Sequence, residues 1–190
     1  MTKPSMTCTY RRATIRFPKK VLGLASAILL ASTLLHSYAA EQSGGQDEAE
    51  LWDKVAYVRL QVATGYDLQG DSRKEGAFRA RGRDDLLTSG DELDIAGDEK
   101  YLASEAYQLA TKHWEKAAKG FRAVDELDKA RDAMGNADAA WEAARRTLRE
   151  GIEIHKMAQE YYQTVNNLEK KTAVLGKVAR NLELLIQMKR

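Results

Sequence analysis

The chain has 190 residues, one cysteine and two prolines, with 30 Lys and Arg against 28 Asp and Glu. Residues 1–39 hold six of the basic residues and no acidic one, so residues 40–190 carry 24 positive against 28 negative charges, a mildly acidic balance that argues against nucleic-acid binding. Cys8, Pro4 and Pro18 all lie in that leading stretch; the remainder has no disulfide, thiolate nucleophile or thiol-attached haem and reads as one all-α domain rich in Ala, Glu, Lys, Leu and Arg.

Residues 1–39 have the three parts of an export signal. Arg11, Arg12, Arg16, Lys19 and Lys20 precede an uncharged apolar run from Val21 to Leu35, and Ser37 and Ala39 are small residues placed for a cut before Ala40. The run is short for a membrane span. The expectation is a periplasmic or otherwise exported bacterial protein, since export without cysteine suits that compartment. The alternative is a membrane anchor through residues 21–40, with membrane contact confined to that uncleaved segment.

Residues 40–46 read as a polar, flexible tether, and residues 47–190 as a single helical bundle or coiled-coil domain. The first predicted helix runs from about Asp47 to Tyr66, with Leu51, Val55, Val58 and Val62 at helical spacing. Residues 67–76, containing Gly70 and Gly76, read as a connection.

The second helix is predicted over about 79–122 and the third over about 126–164, joined by a turn at Val124-Asp125. A seven-residue series of large residues crosses both: Leu86, Leu93, Lys100, Tyr107, Trp114 and Phe121, then Leu127, Met134, Trp141, Leu148, His155 and Tyr162. Small residues keep step: Ser89, Ala96, Ala103, Ala110 and Ala117, then Ala130, Ala137, Ala144, Gly151 and Ala158. Sustained heptads mark helices packed along a seam. Gly82, Gly90 and Gly97 each cost roughly 1 kcal/mol in a helix relative to alanine, yet the series crosses them in phase. Folding the hairpin about Val124 pairs Trp114 with Met134, Tyr107 with Trp141, Phe121 with Leu127, and Ala110 with Ala137. A turn at Asn166-Asn167 leads to a fourth helix from Leu168 to near Lys189, with Leu168, Leu175, Leu182, Val178 and Leu185 as its buried stripe.

A shift of 41 residues aligns Phe121 with Tyr162, Asp125 with Asn166 and Leu127 with Leu168, an internal repeat across the two turns. The stretch from Ala106 and Tyr107 through Trp114, Ala117, Ala118 and Phe121 to Lys129-Ala130 resembles a tetratricopeptide or SNAP-type helix pair. That resemblance implies a TPR/SNAP-like helical repeat, with a further turn near residues 143–147. The preferred reading is a long antiparallel hairpin with two shorter helices, which together form a four-helix bundle at one end and leave a two-helix arm. On that arm Tyr107, Trp114, Phe121 and Trp141 become candidate partner-binding residues.

Few residues form a recognisable chemical motif. Neither His113 nor His155 follows a glutamate by three residues, as a ferritin-like di-iron bundle requires. His155 sits in the seam as a core histidine, near Leu93 and Leu175, and His113 at its partly exposed edge. The acidic run Asp84, Asp85, Asp91, Glu92, Asp94, Asp98 and Glu99 lacks EF-hand spacing and reads as a solvated face paired with Arg73, Lys74, Arg79, Arg81 and Arg83. No nucleophile elbow, phosphate loop or zinc motif is present. The expectation is therefore no catalytic residue, metal or cofactor. The chain reads as a non-enzymatic envelope scaffold, assembly factor or accessory subunit that binds a protein partner or its own copies. The alternative is a cofactor- or metal-carrying four-helix bundle centred on His155.

Overall fold

The computed structural model describes residues 45–188. The predicted export signal and residues 40–44 of the predicted tether lie outside the described residues, while Gly45 and Gln46, expected to belong to that tether, already form the start of the first helix. Four helices follow one another: α1 (Gly45–Arg81), α2 (Leu86–Ala123), α3 (Leu127–Thr164) and α4 (Leu168–Gln187). Among the described residues there is no strand, and no helix is long and apolar enough to cross a membrane. α1 packs on α2, α2 on α3 and α3 on α4, whereas α1 and α3 approach each other far less closely.

The three turns are built alike. Asp84, Asp125 and Asn166 have φ of 60°, 62° and 54°, the left-handed region that Asp and Asn tolerate better than other side chains. The next amide in each turn reaches back to the end of the preceding helix: Asp85 to the Ala80 carbonyl, Glu126 to Phe121 and Asn167 to Tyr162, at 3.2, 2.9 and 2.8 Å. This is the bond that closes a helix whose last residue is followed by a left-handed one. Asp85 and Asn167 then cap the following helices through the amides of Thr88 and Lys170. The 41-residue repeat is thus a repeat of helix-plus-turn, and it includes the first turn.

The first helix departs from expectation. It has 37 residues and continues through residues 67–76, with Gly70 and Gly76, where a connection is predicted. The chain turns at 82–85 instead, so α2 starts at Leu86 and not near 79. Ala49, Ala56, Ala63, Gly70 and Ala77 fall seven apart and are all buried. This small-residue series holds α1 against α2, while Val58 is exposed and Leu51 and Val62 are half-buried. A Cβ on Gly120 would stand 2.7 Å from the Ala49 Cβ, which measures how tightly the two backbones meet.

α2 and α3 form the predicted long hairpin. Each is one unbroken helix of 38 residues, and α3 passes through residues 143–147 without the turn that a TPR/SNAP-like repeat needs. Ala110, Ala117, Ala130 and Ala137 belong to one buried cluster, with Ala103 and Ala144 in the next. Ser104 donates to the Ala144 carbonyl at 2.8 Å and Thr111 to the Ala137 carbonyl at 3.4 Å, which fixes the register. Leu127, at the first turn of α3, is exposed, so its expected layer with Phe121 is not closed.

The exposed two-helix arm is corrected by the length of α1. Its N-terminal half lies along the arm, and Trp114 is 3% exposed, its indole donating to Asp53 of α1 at 2.9 Å. Tyr107 and Phe121 are buried as well, and Trp141 is half-buried. On α4, Val178 is buried as expected and Leu185 is half-buried. Leu168, Leu175 and Leu182 instead face solvent, and the helix buries Val174, Val178 and Asn181.

Candidate functional site

Glycines and polar side chains alternate along α2 in step with the large residues of α3. A Cβ on Gly90 would fall 2.8 Å from the Tyr162 ring, and one on Gly97 would fall 2.4 Å from the His155 ring. Both glycines are therefore sockets for side chains of α3. Each socket adjoins carboxylates of α2 and a lysine of α4, so the arrangement steps by seven residues on all three helices.

In the first of these layers Tyr162 donates its hydroxyl to Asp91 at 2.7 Å, and Lys170 of α4 binds the same carboxylate oxygen. Burial and the Asp91 carboxylate both push the Tyr162 phenol well above its ordinary range. In the second layer His155 stands between Asp94 and Asp98, its Nε2 3.5 Å and 3.4 Å from their Oδ1 atoms. Lys177 of α4 bonds to Asp94 Oδ1 and Asp98 Oδ2, both at 2.7 Å. Burial pushes the Asp98 carboxyl up, but His155 and Lys177 beside it outweigh that and hold it below 3.8.

A third polar layer joins α1 to the hairpin. Lys100 occupies a large-residue position of the seam and is 2% exposed, the most deeply buried charge among the described residues. Its ammonium meets Asp67 at 2.5 Å and Asp71 at 2.7 Å on α1, and Glu150 at 3.1 Å on α3. Gly70 and Gly151 make room for its stem: a Cβ on either would sit 3.1 Å from a Lys100 carbon. Burial alone would lower the Lys100 pKa. The three carboxylates reverse this and raise it above the ordinary lysine value.

Several sequence expectations change in this light. The acidic run is not only a solvated face: Asp91, Asp94 and Asp98 anchor α4, and Glu92 pairs with Arg73 of α1 at 3.1 Å. The predicted pairing with the basic cluster is thus met at Arg73. His155 is a buried seam residue as expected, but its neighbours are Gly97, Asp94 and Asp98, while Leu175 lies exposed. His113 is half-buried and stacks on Trp52 with ring centres 5.1 Å apart. Of the candidate partner-binding residues, Tyr107, Trp114 and Phe121 lie in the core and only Trp141 retains a partly open edge.

The surface carries what those aromatics do not. On α4 Leu168, Leu175, Leu182 and Ile186 are 64%, 41%, 41% and 63% exposed. The first three are one heptad apart and Ile186 follows by four, so all lie on one flank of the helix. Ile95, Leu102 and Leu109 form a second heptad stripe, on the outer side of α2, each a little over one-third exposed. No family model, curated protein or solved structure matches the chain.

Proposed function

We propose that this chain is an exported, non-enzymatic helical protein that serves as a scaffold, assembly factor or accessory subunit in the bacterial cell envelope. It associates with protein helices through the outer flank of α4. The observation that supports this reading is the exposed series Leu168, Leu175, Leu182 and Ile186. Leucines at heptad spacing are the apolar half of a helix–helix seam, and a partner helix completes it by laying its own apolar face alongside. The buried aromatics are left to stability, and the polar layers beneath α4 hold that helix in register while its outside stays open.

Export rests on the tripartite pattern of residues 1–39. The test is a double variant, Leu175→Glu with Leu182→Glu, compared with the wild-type chain by sedimentation velocity and by capture from an envelope fraction. The wild type associates with itself or with a discrete partner. The variant keeps its helicity and loses that association. Equal association of the two proteins would overturn the reading.

A further inference from the structure

The geometry points to a divalent transition-metal site formed by Asp94 and Asp98 of α2 with His155 of α3. Asp94 and Asp98 are four residues apart, which puts their carboxylates on one face of α2 a single turn from each other. Gly97 lies between them in sequence, and its missing Cβ admits the imidazole against the helix backbone. The three side chains come from two helices whose register is fixed by the Ser104 and Thr111 bonds to α3 carbonyls. The ligand positions are therefore set by the packed hairpin and not by a loop.

Two features of His155 mark it as a ligand in waiting. Its side chain is 1% exposed, and neither ring nitrogen makes a hydrogen bond, a costly state for a buried polar group. Yet Nε2 lies close to both carboxylates, 3.5 Å from Asp94 Oδ1 and 3.4 Å from Asp98 Oδ1. Metal–ligand bonds of about 2.0–2.2 Å place tetrahedral ligand atoms roughly 3.3–3.6 Å apart. The two contacts match such an edge. All three donor atoms lie within 4.8 Å of one another.

The donor set selects the ion. One imidazole nitrogen with two carboxylate oxygens suits zinc, cobalt and their neighbours, whereas calcium and magnesium take oxygen ligands almost alone. Lys177 is the internal competitor, since its ammonium bonds to Asp94 and Asp98 at the position a bound cation would neutralise. The lysine side chain is 24% exposed and ends on a flexible stem, so it can withdraw to solvent when a metal takes the carboxylates. Asp98, 46% exposed, borders the open side from which water supplies the fourth ligand.

Titration of the full chain with Co²⁺ and Zn²⁺ tests the site, with calcium as the contrast. Cys8 and His36 also offer donors, so the comparison of wild type with His155→Gln and Asp98→Asn carries the test. The wild type gains the visible absorption of low-symmetry Co²⁺ at one ion per chain, and Zn²⁺ displaces it. His155→Gln and Asp98→Asn, each checked for helicity by circular dichroism, lose that ion. Lys177→Gln binds it more tightly by about tenfold or more, as removal of a unit charge from a partly buried site requires. Wild-type binding retained in His155→Gln, or no saturable Co²⁺ binding in both the wild type and Lys177→Gln, would mean that the cluster is a closed ion-pair network and overturn the inference.

Discussion

His155 of α3 lies in the socket left by Gly97 of α2, where an added Cβ would come within 2.4 Å of the ring. Tyr162 and Gly90 repeat that relationship seven residues away on both helices, at 2.8 Å. A glycine in a helix interior normally loses stability through backbone freedom. Here it gains the insertion of a large side chain, and with it the approach of α2 to α3.

Gly97→Ala should therefore destabilise the protein by about 1–3 kcal/mol despite the better helix propensity of alanine. Gly135 gives the contrast, because a Cβ there meets nothing within 4 Å. Gly135→Ala should stabilise by roughly 0.5–1 kcal/mol. Chemical denaturation of the two variants checks the pair, and a shift of the same sign in both would contradict the socket.

Much of the hairpin was legible because the large and small heptads of α2 and α3 hold their phase across each glycine. The first helix was not, for two physical reasons. Its contact face is alanine and glycine, so an apolar search fixed on Leu51, Val55, Val58 and Val62 follows a face that is only partly buried. Gly70 and Gly76 also resemble a connection by composition. The signal that finds the true boundary is the 41-residue repeat carried back one step from Asp125 to Asp84, onto another left-handed turn residue. On α4 the heptad leucines looked like core because spacing alone does not say which flank faces inward. Asp94 and Asp98 escaped notice as a constellation because their relation to His155 exists only through the antiparallel register of α2 and α3.

Lys100 should be a keystone between α1 and the hairpin. Lys100→Met leaves Asp67, Asp71 and Glu150 gathered without their cation, and should cost about 2–4 kcal/mol near neutral pH, the partial exposure of the three carboxylates being allowed for. The folded-state pKa of Lys100 is raised above 10.5. Its contribution is therefore fully present below about pH 10.5 and is lost as pH rises through the folded value. Denaturation of wild type and variant across that range checks the sign: the gap between them narrows in strong alkali.

Trp114→Ala should behave as a core deletion. The indole is enclosed between α1 and the hairpin and bonded to Asp53, so truncation should cost about 3–5 kcal/mol. Hydrogen exchange in the variant should rise throughout α1, α2 and α3. Loosening confined to residues 103–143 would instead restore the projecting arm that α1 otherwise covers.

The most direct test of the account is site-specific photo-crosslinking in the native envelope. A benzophenone side chain is placed at Leu175 in one protein and at Trp114 in another. The account predicts a discrete protein adduct, whether a partner or a second copy of the chain, from position 175 and none from position 114. An adduct from position 114 with none from position 175 would contradict it, because partners would then engage the aromatic interior and not the outer flank of α4.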